Sequence, residues 1–247
     1  MFLTTRGLVL RDVKYKESDR ILTVLTEHEG KITVRARGAK SKTSRYRAAA
    51  QHLVFSEMTL FGNRGRWSLN EAETIEQFLG LREDLPALAL GSYFAELLEA
   101  LSDEDSPNVD ILRLGLNALY ALSNLTVSHE IVKAATELRL MCLAGYEPRL
   151  DACSRCGEEG AAEWYFDASE AALVCGGCRQ YGEPGLLPLC EGSLAAMRHI
   201  TGVDMKKIFS FTLPPDALAR LAEACERYVI VRLERGFGAL DYWKRLT

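Results

Sequence analysis

Two Cys-x-x-Cys pairs, Cys153-Ser-Arg-Cys156 and Cys175-Gly-Gly-Cys178, stand 18 residues apart in this chain. That spacing is the pattern of a four-cysteine metal site. Each pair forms a short knuckle that aims two sulfurs at one point, and Gly157, Gly176 and Gly177 free the backbone at the tight turns. Four thiolates close a tetrahedral shell around one Zn2+ and leave no position for water or substrate, so the expected metal is structural. Two disulfides or a redox dithiol are the competing readings, and two pairs at matched spacing favour zinc over both. Cys142, Cys190 and Cys225 stand apart, the first and last on apolar helical faces where a thiol is usually a small core residue. Seven cysteines give no tidy disulfide framework, Met1-Phe-Leu-Thr-Thr-Arg6 is too short for a secretory signal, and no run reaches bilayer length. The expected compartment is a reducing cytoplasm, with no membrane partner.

Charge divides the 247 residues unevenly. Residues 1–70 carry 14 Lys/Arg and 6 Asp/Glu, a net of +8, whereas residues 71–247 carry 16 and 28, a net of −12. A basic head on an acidic body suggests that the head meets a polyanion. The head reads as five short strands: residues 7–14, 20–26, 31–37, 53–61 and 67–72. In the third, Ile32, Val34 and Ala36 alternate with Lys31, Thr33, Arg35 and Arg37. A helical piece is expected at 46–51, and Gly62-Asn-Arg-Gly65 reads as a hairpin turn. Five strands with a short helix between the third and fourth follow the order of an OB-fold barrel.

Between Lys31 and Arg47 lie seven cations (Lys31, Arg35, Arg37, Lys40, Lys42, Arg45 and Arg47) and no carboxylate. Lys14, Lys16 and Arg20 border the first inter-strand connection. On such a barrel the pattern favours phosphate binding over a merely solvated face. Tyr46 can stack on a base or pack on the barrel, and nothing reads as a base-recognition element, so backbone binding independent of sequence is expected.

From Asp84, a candidate N-cap with Pro86 behind it, the period becomes helical. Phe94, Leu97, Leu98 and Leu101 form a buried stripe, and 102–107 is an acidic loop. Further helices are expected at 109–122, from Ser128 to Gly145 through Ile131, Ala135, Leu138 and Cys142, at 191–199 and at 216–236. The metal module occupies about 150–185, with Trp164-Tyr-Phe166 as a hairpin strand. The fold class is therefore multidomain α+β: an OB-fold barrel at 1–80, then an α-helical domain at 81–247 carrying a four-cysteine zinc module. The sequence has no Walker loop, nucleophile elbow or His-Glu-x-x-His, and His28, His52, His129 and His199 are scattered, so a binding protein is expected rather than an enzyme.

Gly7-Leu-Val-Leu10, Glu17-Ser-Asp-Arg-Ile-Leu-Thr-Val-Leu-Thr26, Gly30, Arg37-Gly-Ala-Lys-Ser41 and Leu143-Ala-Gly-Tyr-Glu-Pro148 before the first cysteine pair resemble bacterial RecO proteins over nearly the whole chain. Some members lack the full cysteine set; here all four are present, so zinc carries onto Cys153, Cys156, Cys175 and Cys178. The resemblance implies a DNA repair and recombination mediator in the bacterial cytoplasm, associated with the nucleoid. Such proteins bind single- and double-stranded DNA and anneal complementary strands without ATP hydrolysis. With RecR, and with RecF indirectly, they help RecA replace single-stranded-DNA-binding protein (SSB) at gaps. The implied DNA surface is Arg35, Arg37, Lys40, Lys42, Arg45 and Arg47. The resemblance also implies a pocket for the SSB C-terminal tail on the helical body, for which Lys133 and Arg139 are candidates. An OB-fold protein acting on structured RNA and a thiol-active enzyme are the alternatives, and neither accounts for the basic barrel and the cysteine quartet together.

Overall fold

A computed structural model describes residues 1–247 except 64, 65, 105 and 125. Five strands, β1 (Phe2–Tyr15), β2 (Asp19–Thr26), β3 (Lys31–Ala36), β4 (Phe55–Asn63) and β5 (Arg66–Glu76), close a barrel in the order β1-β2-β3-β5-β4. β3 runs parallel to β5 and the other pairs are antiparallel. This is the OB-type barrel expected from the strand order.

β1 begins five residues earlier than its expected start and serves two partners. Its first half pairs with β4 (Phe2↔Phe61 to Leu8↔Phe55) and its second with β2 (Gly7↔Thr26 to Tyr15↔Asp19). The changeover lies at Gly7, where a Cβ would sit 2.5 Å from Val24 Cγ1, and is followed by a register shift between Val9 and Arg11. A side-chain-free residue and a bulge are the usual means of turning a barrel corner. The interior is filled from the inward phase of each strand: Val9, Leu22, Val24, Ile32, Val34, Ala36, Met58, Leu60 and Leu69.

The helix expected at 46–51 does not form. The segment is a succession of turns with one helix-type bond, Ala50 N–H to the Tyr46 carbonyl at 3.1 Å. Six residues cannot repay helix nucleation, and the buried Ala49 and Ala50 close the barrel end instead. Of the expected Gly62-Asn-Arg-Gly65 turn, residues 64 and 65 lie outside the described residues, as does residue 105 of the acidic loop; the β4–β5 pairing reaches Asn63↔Arg66.

The chain packs as two compact units, residues 1–125 with 237–247, and residues 126–236. In the first, α1 (Leu85–Leu101) packs on α2 (Val109–Asn124), on α6 (Gly238–Trp243) and against the barrel strands β1 and β2. Asp84 caps α1 by accepting from the Ala87 N–H at 3.2 Å, with Pro86 in the first turn. In the second, α3 (His129–Leu143), α4 (Glu191–Gly202) and α5 (Pro215–Leu233) pack together beside a four-stranded sheet, β6 (Arg149–Cys153), β7 (Trp164–Asp167), β8 (Ala172–Cys175) and β9 (Leu186–Leu189), in the order β6-β8-β7-β9. Ser128 caps α3 through the Ile131 N–H at 3.3 Å. Phe166 of the sheet meets Tyr228 of α5 edge to face at 5.5 Å between centroids.

Candidate nucleic-acid interface and metal centre

β6 and β8 each end on the first cysteine of a pair, and both pairs then make the same turn. The Gly157 N–H bonds the Cys153 carbonyl at 2.9 Å, and the Arg179 N–H bonds the Cys175 carbonyl at 3.1 Å. Gly157 adopts φ +79°, a conformation that a side chain disfavours. The four Sγ atoms lie within 4.8 Å of one another and can hold a metal ion. Cys156 and Cys175 Sγ are 3.7 Å apart, close to the edge of about 3.8 Å made by four sulfurs about 2.3 Å from a central ion, and far beyond the disulfide length of about 2.05 Å. Burial alone would push the Cys153 thiol up, but N–H donors from Cys175, Arg155 and Cys156 hold it near about 6, whereas hydrogen bonding with Cys156 and Cys175 pushes Cys178 up to about 12. Cys153 thus ionises more readily than Cys178, and a bound cation would favour the thiolate forms that ligate it.

Arg155, inside the first knuckle, was not singled out by the sequence pattern. Its Nη1 donates to the Cys178 carbonyl at 2.8 Å and to Glu183 Oε2 at 2.9 Å. The guanidinium beside Glu183 holds that carboxyl down to about 2. Arg155 therefore ties the two knuckles to one another and to the following loop.

The basic head divides into cations already engaged and cations facing solvent. Asp19, 6 % exposed, receives Arg35 Nε at 3.0 Å and Nη2 at 2.7 Å on one oxygen and the Gly38 N–H at 2.9 Å on the other. Arg20 is ion-paired with Asp12. Lys40 Nζ donates to the carbonyls of Lys16 (3.1 Å) and Glu17 (2.7 Å) and its N–H to that of Ser18 (3.0 Å), so it staples the 37–47 loop to the β1–β2 connection. Lys31 Nζ donates to the Glu99 carbonyl, and Arg45 donates to the Asn70 carbonyl at 2.7 Å and lies 3.6 Å from Glu71. Arg37, Lys42, Arg47, Lys14 and Lys16 are exposed and form no ion pair among the described residues. The expectation that Arg35 and Arg37 share a strand face changes: β3 ends at Ala36, and Arg37 opens the loop.

The Gly38 N–H, more than the Arg35 guanidinium, holds the Asp19 carboxyl below its ordinary value. A depressed folded pKa contributes stability that is complete above the unfolded value of about 3.9 and disappears as pH falls through the folded value. Asp19→Asn is expected to remove up to about one proton from the uptake on acid unfolding and to loosen the start of the 37–47 loop. Denaturation followed from pH 7 to acid checks this, and an acid limb identical to wild type would contradict it.

Two adjoining grooves open on the outer face of the barrel. One, of about 580 Å³, runs along the 37–46 loop past Phe2 and Phe61. The other, of about 510 Å³, lies over β2 and β3 between Tyr15 at the β1–β2 connection and Arg66 and Trp67 at the start of β5. Arg37, Phe61 and Ser68 line both, and among the described lining residues neither groove has a carboxylate. Across β4 and β5 the next depression is lined by Glu57, Glu71 and Glu73 together with Arg45, which also lines the first groove. The sequence reading missed Phe2, Tyr15, Phe61, Arg66 and Trp67. A signal existed for Phe61: Met58 and Leu60 set the inward phase of β4, so an aromatic at 61 points outward. Tyr46 satisfies both of its readings, since it packs on the barrel core, donates its hydroxyl to the Arg37 carbonyl and lines the first groove.

Lys133 and Arg139 do not offer themselves to a peptide tail. Lys133 is 2 % exposed, with Nζ 2.9 Å from both Glu137 and Glu226 carboxylates. Arg139 is partly buried and donates to the carbonyls of Ile200 and Thr201 at the end of α4. Lys133 is enclosed because α3 is buried at every position from Ile131 to Leu138, where a one-sided stripe was expected.

The family model described as Recombination protein O N terminal matches residues 1–78, and that described as Recombination protein O C terminal matches residues 82–241. The chain is 31% identical over 245 residues to the DNA repair protein RecO of Acetivibrio thermocellus, covering 99% of this chain and 97% of that protein. It is 29% identical over 247 residues to the protein of that name from Alkaliphilus metalliredigens, with 100% of both covered. It is 31% identical over 239 residues to the one from Symbiobacterium thermophilum, with 96% and 94% covered. No helix among the described residues is long and apolar enough to cross a membrane.

Proposed function

This chain belongs to the recombination protein O family of DNA repair proteins, and on that premise we propose that it is a non-catalytic recombination mediator. It binds single- and double-stranded DNA on the barrel, anneals complementary strands without ATP, and acts with RecR, and with RecF indirectly, to help RecA replace SSB at gaps in the bacterial nucleoid. Its four sulfurs hold one structural Zn2+, which keeps the two knuckles in register; the 3.7 Å sulfur separation and the all-thiolate donor set suit that ion.

The observation that carries the DNA reading is the pair of grooves without a carboxylate, flanked by the solvent-facing Arg37, Lys42, Arg47, Lys14 and Lys16. The face over β2 and β3, between the β1–β2 and β4–β5 connections, is where OB-folds commonly take oligonucleotides. Two phosphate backbones repel each other, and a cationic surface that exchanges their counterions lowers the cost of bringing them together. Arg35, Arg20 and Lys40 act mainly by shaping this surface, because their donors are already committed to Asp19, to Asp12 and to loop carbonyls.

Annealing of complementary strands coated with SSB, without ATP and across a salt series, tests the proposal. Rapid annealing that fades with salt is expected. Charge reversal at Arg37 and Lys42, which leaves the Asp19 cluster intact, is expected to weaken binding to all sequences alike and to reduce the single-strand salt slope by about 0.7 per lost phosphate contact. Loss confined to one base sequence would contradict phosphate binding. Absence of annealing both with and without RecR would overturn the mediator role.

A further inference from the structure

The two grooves of the barrel are lined by rings as much as by charge. Phe2, Phe61 and Tyr15 are 64%, 41% and 41% exposed on this face. Phe2 and Phe61 lie 5.2 Å apart between centroids, and Phe61 borders both grooves. Trp67 lies against the backbone of Gly62, where a Cβ would come within 2.6 Å of its ring, so the indole is backed by main chain on one side. Isolated exposed aromatics are ordinary, but rings gathered in adjoining grooves mark a binding surface. Guanidinium groups interleave them: Arg35 lies 5.4 Å from the Tyr15 centroid, and Arg37 lines both grooves.

Phosphate binding does not require these rings. A duplex presents charge and hides its base faces, whereas an unpaired strand presents both. Alternating rings and guanidiniums, with Glu57, Glu71 and Glu73 confined to the next depression beyond Arg45, complement a chain with a flat π-surface and an anionic backbone. We propose that these grooves are a base-stacking subsite, in which Phe61 and Trp67, with Phe2 and Tyr15, hold unpaired bases of single-stranded DNA while Arg37 holds the adjoining phosphate. This rests on the barrel being the DNA surface and adds what that surface selects. Bases held in the grooves anchor a strand, and the solvent-facing cations of the 37–47 loop hold its neighbouring phosphates with their bases free to pair.

The test compares a short oligothymidine, an abasic strand of the same length and a duplex, each binding the full-length protein. Phe61→Leu keeps an apolar side chain and removes the ring; Trp67→Leu is the second variant, with circular dichroism checking its fold. The oligothymidine is expected to bind more tightly than the abasic strand, and Phe61→Leu to weaken the oligothymidine by about tenfold while leaving the abasic strand and the duplex unchanged. Equal binding of oligothymidine and abasic strand, or equal losses on all three probes, would overturn the stacking subsite and leave the phosphate surface standing. Failure of all three probes to bind the wild-type protein would overturn the DNA surface itself.

Discussion

Cys153→Ser is expected to abolish metal binding at the four-sulfur site and to unfold the sheet of residues 149–189. Cys153 closes β6, accepts the Cys175 N–H on its sulfur at 3.3 Å and begins the first knuckle. It therefore couples metal, sheet and knuckle in one residue. Serine replaces a buried sulfur with a hydroxyl that is a poor ligand for a soft-tolerant ion, and three sulfurs no longer complete a tetrahedral shell. Metal binding in small four-ligand modules is coupled to folding with on the order of 10 kcal/mol, so even partial loss is expected to lower the melting temperature by about 10 °C or more. Chelation of the wild type should reproduce the effect, and the variant should be indifferent to chelator. The checks are metal content and a melt followed by circular dichroism. A variant with native metal content and an unshifted melt would refute a structural metal at this site.

The parts of this molecule that were legible in sequence are those written in local pattern. Ile32, Val34 and Ala36 alternate because a strand has a period of two, and all three are buried in the barrel. Asp84 and Ser128 announce helix starts because their side chains satisfy N–H groups that the helix leaves open. The cysteine quartet is legible because ligand spacing follows from knuckle geometry. What sequence did not disclose depends on tertiary partners. Arg35 and Arg37 look alike two residues apart, yet Arg35 is held by a buried carboxylate 16 positions away, and Arg37 faces solvent. Phe2 and Phe61 are 59 positions apart and meet only because β1 pairs with β4 in the register that sets them opposite each other. The grooves are thus a product of barrel closure, although each ring in them was visible as a letter.

Lys133→Met is expected to destabilise the protein by about 3–5 kcal/mol, the cost of removing one partner from a buried ion pair. Lys133 on α3 reaches Glu137 one turn on, which is fully buried, and Glu226 on α5, whose side chain is 19% exposed. Desolvation alone would lower the Lys133 pKa, but Glu137 and then Glu226 outweigh it and raise the value above its ordinary range. The ammonium is thus charged throughout the neutral range. A raised folded pKa contributes stability that is complete below the unfolded value of about 10.4 and is lost as pH rises through the folded value. Lys133 therefore keeps its charge at neutral pH and joins α3 to α5 through Glu137 and Glu226. The share of that loss that belongs to the buried carboxylate rather than to the lysine can be measured. Adding Glu137→Leu to Lys133→Met removes the most deeply buried acid and leaves Glu226, which has access to water. The double variant is expected to recover much of the loss, giving a coupling free energy of at least about 1 kcal/mol in a double-mutant cycle. Denaturant unfolding followed by circular dichroism reads all four corners of that cycle. Additive losses would mean that the pair is not coupled, and a neutral Lys133→Met would mean that the buried charge is relieved by other means.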